Sequence, residues 1–217
     1  MDAGLAFFQA QNLVLGDGVR EPVDAIFFHS RSHGDDDGLF ELVADYLARG
    51  QARYVAINSS DGERMGGTIP GEAWPGRIVY MNQFADHGIS LYTYTIERIK
   101  PSYNSKEENE HFLDLAILRQ WKTAIVLTQA HQLLRHTLGM IRSLNDRKYW
   151  MQVYAVCPRP VDWWKMVRGS QGAERKERFK HIEDEYVRIS QYQEKGDLGS
   201  WDELATYFRK RDGEVIA

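Results

Sequence analysis

Cysteine is nearly absent from this chain. Cys157 stands alone among 217 residues, so no internal disulfide can form and a thiolate metal cage is excluded. Long apolar runs are missing as well, and none approaches the length needed to cross a bilayer. The opening MDAGLAFFQAQNLVL lacks the basic n-region of a signal peptide, so the expected location is cytoplasmic, with no membrane partner. Nor does one sign of charge dominate. Lys and Arg total 27 against 31 Asp and Glu, and a net charge of −4 gives no reason to expect nucleic acid as the partner.

Several cofactor signatures are also lacking. The stretch HSRSHGDDDG (29–38) is neither G-x-G-x-x-G nor G-x-x-x-x-G-K-[ST], which argues against a standard dinucleotide fold and a P-loop NTPase. There is no glycine-rich acidic turn of the common methyltransferase kind, and no G-x-S-x-G elbow for a serine hydrolase.

What is present is a core. Apolar residues make up 43% of the chain, with six Trp and eleven Tyr, ample for one α/β domain over 1–217. Short apolar runs read as strands: 24–29 (DAIFFH), 53–58 (RYVAIN), 90–98, 123–127 (TAIVL) and 149–156. Helical spacing lies between them. Leu39, Leu42, Val43, Tyr46 and Leu47 form one stripe; Ile78, Met81 and Ala85 another; Phe112, Leu115, Ala116 and Arg119 a third; Leu134, Leu138 and Ile141 a fourth. Ser105 with Glu108 reads as a capping box for the third of these helices. Beyond about 173 the chain turns helical to about 211, with Phe179, Ile182, Tyr186 and Ile189 at 3-4-3 spacing and a capping box at Ser200 and Glu203. The charges of ERKERFK (174–180) read as the wet side of that helix, and paired C-terminal helices would allow a homodimer.

Strands alternating with helices predict a Rossmann-like, doubly wound parallel sheet of about five strands, order 3-2-1-4-5, with a core over about 23–157 and extra C-terminal helices. In that order the connection reverses between strands one and four. Ligands of open α/β sheets bind in the crevice at that point. The loop 30–37 and the segment 128–135 should face each other there.

The candidate site follows. Ser30, Arg31, Ser32 and Gly34 offer hydroxyls, a guanidinium and a flexible backbone for an anionic group. Thr128 and Gln129 end strand four, and His131 and Arg135, four apart, would share one face at the start of the next helix. His131 is the proton-transfer candidate, since imidazole titrates near neutrality. In the competing reading Arg135 pairs with an acidic neighbour and His131 simply packs. Asn58 and Ser59 end strand two beside the crevice, and Asn104, Ser105 and Glu107 start helix three. Trp163 and Trp164 offer flat faces for a ring, or else pack the C-terminal helix. A different use of the first loop would join His29, His33 and Asp36 as metal ligands.

The order of these motifs resembles the YdcF/SanA/ElyC family of bacterial α/β proteins. The motifs are Asp24-Ala-Ile26 with 30–34, then Ser102-Tyr-Asn104-Ser105-Lys-Glu107, then Thr128 through His131 to Arg135, then Glu185-Tyr-Val-Arg188-Ile189-Ser-Gln-Tyr192. Ser105 stands at the family's threonine, Glu108 at its asparagine, and His131 three residues after Thr128 rather than four. The resemblance implies S-adenosylmethionine as a ligand. The resulting expectation is a small-molecule-binding protein for a nucleotide-like or phosphorylated metabolite. Transferase chemistry, a metal-assisted phosphohydrolase and a non-catalytic sensor or assembly role all stay open.

Overall fold

The computed structural model describes residues 3–30, 38–61, 74–89, 95–169 and 174–213. Five parallel strands, β1 (Val23–Phe28), β2 (Ala52–Asn58), β3 (Thr95–Ile99), β4 (Thr123–Leu127) and β5 (Gln152–Val156), pair in the order β3-β2-β1-β4-β5. The expected topology is therefore the observed one. Ile26 of β1 lies opposite Val55 of β2 and Ile125 of β4, setting the register at the sheet centre.

Alternation along each strand sorts the core onto two faces. Ala25, Phe27, Ala56, Ala124, Val126 and Ala155 point to one side, where α1 (Ala3–Leu15), α4 (Ser105–Arg119), α5 (Leu133–Asp146) and α7 (Trp201–Arg211) cover them. Ile26, Phe28, Val55, Ile57, Ile125 and Leu127 point to the other, under α2 (Leu39–Ala48) and α3 (Arg77–Asp86). The first face has alanine at four of these positions. Helices settle close there, and Phe112 of α4 stacks on Phe27 at 4.3 Å between ring centroids.

Close approach also explains Gly139 in α5. A Cβ there would stand 2.7 Å from Asn109 Nδ2 of α4, so only glycine lets the two helices meet without displacing that amide. Asp24 stitches the opposite end of the sheet. Its carboxylate accepts from Lys122 and Thr123 N–H groups at 2.7 and 3.0 Å, fixing β1 against the start of β4.

Beyond β5 the chain forms a short antiparallel hairpin, β6 (Met166–Arg168) with β7 (Arg175–Glu177), then α6 (His181–Glu194) and α7. Ser200 and Glu203 form the expected capping box of α7. The outer edge of β5 is dressed by side chains. Val153 N–H donates to the Tyr207 hydroxyl at 2.6 Å, Ala155 N–H donates to Asp17 at 2.8 Å, and Arg211 donates to Val153 C=O at 2.9 Å. Burial pushes the Tyr207 phenol up, keeping it a neutral hydroxyl at this edge.

Some sequence expectations are corrected. The chain opens with α1, whose Phe7, Ala10 and Val14 bury one stripe; it belongs to no predicted element. In α3 the buried residues are Tyr80 and Phe84, while Ile78 is exposed, because the helix is rolled away from the predicted stripe. Strand five begins at Gln152, not at 149, since Lys148 with φ +50° still turns the chain there. Strand three is described from Thr95 onward; 90–94 lie outside the described residues. Among the described residues no helix is long and apolar enough to cross a membrane.

Candidate functional site

The carboxyl ends of β1, β2 and β4 meet the first turns of α4 and α5, and buried polar groups gather there. Which residues arrive depends on how α4 is capped. Asn104, not Ser105, is its N-cap: the Asn104 side chain accepts from Glu107 N–H at 2.9 Å and donates to Glu107 Oε1 at 2.8 Å. Glu107 also accepts from Tyr103 N–H. Asn104 and Glu107 thus spend their polar atoms on each other at the helix end. The predicted Ser105–Glu108 box does not form, and both residues turn inward instead.

Glu108 is 2% exposed and organises the first part of the cluster. One carboxylate oxygen accepts from Ser30 N–H at 3.1 Å, from the Ser30 hydroxyl and from Asn58 Nδ2 at 3.4 Å; the other faces His29 Nδ1 at 3.3 Å. Asn58, at the end of β2, donates to Ser102 C=O at 2.8 Å and accepts from the Ser60 and Ser102 N–H groups. Ser59 beside it is half-buried. A buried carboxylate is tolerable only with such donors, and here the ends of β1 and β2 supply them.

The second part is built on α5. Arg135 donates to Glu185 of α6 at 2.6 Å and to the Ser105 hydroxyl at 3.2 Å, with the next residue, His136, at 3.5 Å from its guanidinium. Glu185 also accepts from Arg188 at 3.0 Å. The His29 and His136 rings lie 4.0 Å apart, joining the two parts. The result is a buried set of two imidazoles, two carboxylates and one guanidinium at the switch point.

His131 is placed differently from expectation. Helix α5 starts at Leu133, so His131 sits in the preceding turn and shares no helical face with Arg135. Its ring stacks on His181 at 5.2 Å, against the start of α6. Thr128 and Gln129 are buried in the same turn, and Thr128 N–H continues the ladder to Val156 C=O. Asp184, beside His181, is pushed up by burial, but bonds to Lys176 and His181 outweigh this and hold its carboxyl below the usual range.

The predicted Ser30, Asn58, Ser105 and Arg135 therefore converge. Arg31, Ser32, His33, Gly34 and Asp35–Asp37 lie outside the described residues, so the alternative metal set of His29, His33 and Asp36 is represented there by His29 alone. Among the described residues no three His, Cys, Asp or Glu side chains group closely enough to hold a metal ion. The structure also brings into this cluster Glu108, His136 and Glu185, which the sequence reading did not include among its candidates. Glu185 did carry a signal, because it opens the motif that runs to Tyr192. Trp163 packs against the core while Trp164 is 75% exposed, edge-on to Phe179 at 5.0 Å. Arg178, expected on the wet side of a helix, is buried, because 178–180 form a tight turn ahead of α6.

Cys157 follows β5 and is buried, which pushes its thiol up although Arg159 and Arg178 pull the other way. The folded protein should therefore resist a thiol-specific disulfide reagent near pH 8, and react fully in denaturant. Rapid labelling of the folded chain would contradict the placement.

Compared with known proteins, the chain matches no family model and no curated sequence.

Proposed function

We propose that this protein is a small-molecule-binding enzyme whose ligand, a nucleotide-like or phosphorylated metabolite, lies in the crevice at the carboxyl ends of β1 and β4. One observation carries the reading: a carboxylate, Glu108, buried with His29, His136 and the Arg135–Glu185 pair at the topological switch point. Buried ionisable groups are costly to fold and concentrate where chemistry needs them. In this reading Glu108 and His29 form the proton-handling pair, Ser30 and Ser105 orient polar groups of the ligand, and the start of α5, left uncapped by the Gln132 side chain, favours negative charge. His29 replaces His131 as the first acid–base candidate, since His131 faces His181. The resemblance to the YdcF/SanA/ElyC family makes S-adenosylmethionine the first ligand to test.

The test is a thermal-shift panel of S-adenosylmethionine, nucleotides and sugar phosphates on wild type and Glu108→Gln. Glutamine keeps an acceptor for Ser30 N–H while removing the charge. A ligand at a hundred times its dissociation constant should stabilise wild type by about 2.7 kcal/mol. Glu108→Gln should weaken its binding at least about tenfold, the scale of one charged hydrogen bond. Equal stabilisation of both proteins would remove Glu108 from the site and this reading with it.

A further inference from the structure

Ser30 lies just beyond β1, at the carboxyl edge of the sheet and on the rim of the buried cluster. Its hydroxyl donates to Glu108 Oε1 and accepts from Asn58 Nδ2 at 3.1 Å. Glu108 is held in turn by His29, whose Nδ1 lies 3.3 Å from the other carboxylate oxygen. We propose that Ser30 is a catalytic nucleophile that takes a phosphoryl group from the ligand, with Glu108 as its general base. The inference rests on the crevice reading above and adds to it the group that is transferred.

An activated nucleophile is recognised by a base within hydrogen-bond reach and a third group that orients the base, wherever the residues fall in the sequence. Ser30, Glu108 and His29 meet that description. Asn58 adds a donor aimed at Ser30 Oγ, the atom on which negative charge grows as the O–H bond breaks. Burial decides which residue of the set a ligand can reach. Glu108, Asn58 and His29 are buried, whereas Ser30 is only half-buried. The hydroxyl therefore belongs to the one residue of the four that a molecule in the crevice can touch.

Two features favour phosphorus over an acyl carbon as the target. An acyl oxyanion is met in serine enzymes by the nucleophile's own N–H among others, and the Ser30 N–H is committed to Glu108 at 3.1 Å. Positive charge, by contrast, is close. Arg135 joins the same cluster through His136 and His29, and the start of α5 favours anions. In the first step a bond forms between Ser30 Oγ and phosphorus as the bond from phosphorus to the ligand's bridging oxygen breaks. The hydroxyl proton passes to Glu108 and from there to the departing oxygen, so the ligand leaves as an alcohol. Water then attacks the phosphoserine. Glu108 takes the water's proton and returns it to Ser30 Oγ, and inorganic phosphate is released.

A fluorophosphonate ester, a phosphorus electrophile that captures activated hydroxyls, tests the proposal on wild type, Ser30→Ala and Glu108→Gln by intact mass and peptide mapping. Wild type should gain one adduct on Ser30 with release of fluoride. Ser30→Ala loses one half-buried hydroxyl and is expected to fold; it should gain none. Glu108→Gln should label about a hundredfold more slowly, the scale of one general base. Should that variant fail to fold, wild type against Ser30→Ala decides. Wild type, and not Ser30→Ala, should also release p-nitrophenol from p-nitrophenyl phosphate. A serine that merely satisfies the buried carboxylate would be inert, so an unlabelled wild type would overturn the proposal. An adduct elsewhere, equal labelling of folded Glu108→Gln, or turnover of p-nitrophenyl acetate alone would overturn it as well. No adduct on Ser30, alongside a metabolite that distinguishes Glu108→Gln in the thermal-shift panel, would remove the nucleophile and leave the crevice reading intact. A Glu108-dependent adduct with no such metabolite would do the reverse.

Discussion

Glu185→Ala should lower folding stability by about 3–5 kcal/mol, the cost of stranding one member of a buried ion pair. Glu185 is 2% exposed and its two oxygens hold two cations, Arg135 on α5 and Arg188 on its own helix. Arg188 can swing toward water. Arg135, with only 8% of its side chain accessible, has no such exit and would keep its charge inside. For a domain of this size the melting temperature should fall by roughly 6–20 °C. Glu185→Gln, which keeps an acceptor for Arg135, should lose distinctly less. A melting curve for Glu185→Ala that overlays wild type would mean that the Arg135–Glu185 contact does not hold α6 to the site.

Asp17→Ala should be similarly damaging for a different reason. Asp17 accepts from both terminal nitrogens of Arg211, at 2.7 and 2.9 Å, and from Ala155 N–H, so it ties the loop after α1 to the end of α7 and to β5. Burial alone would lower the basicity of Arg211, but bonds to Asp212 and Asp17 reverse that and hold it charged. Because Asp212 remains as a partner, the expected loss sits near the lower end, about 3 kcal/mol by urea unfolding. The double variant Asp17→Ala, Arg211→Met should lose less than the sum of the two single changes, since removing both charges leaves neither stranded. Strict additivity would deny the coupling.

The sheet was legible because its strands are buried on both faces. Runs such as DAIFFH and TAIVL have no polar alternation, and right-handed crossovers leave few orders for five such strands. Helix α1 was readable in principle, with Phe7, Ala10 and Val14 at helical spacing, but it carries no acidic residue in its first turn and no basic residue in its last. The hairpin strands are three residues long, too short for any period to register.

The buried polar cluster was legible in its place along the strands but not in its detail. The stretch SYNSKEE contains two overlapping capping pairs, Asn104 with Glu107 and Ser105 with Glu108, one residue apart. Local rules accept either. The choice is made by the tertiary structure, in which Ser30 N–H at the end of β1 takes a carboxylate from the first turn of α4 as its partner. A one-residue shift exchanged the roles of four side chains. Arg135 shows the same limit: Glu185 lies fifty positions away, and no spacing rule pairs them.

The dressed rim of β5 has a consequence for how copies of this protein meet. An edge strand with open amide and carbonyl groups is a template onto which another chain can zip. Here Tyr207, Asp17 and Arg211 already occupy the Val153 N–H, the Ala155 N–H and the Val153 C=O, so a neighbouring strand would have to displace them to pair on that flank. The same three residues that fasten the C-terminal helix also keep this side of the sheet from growing.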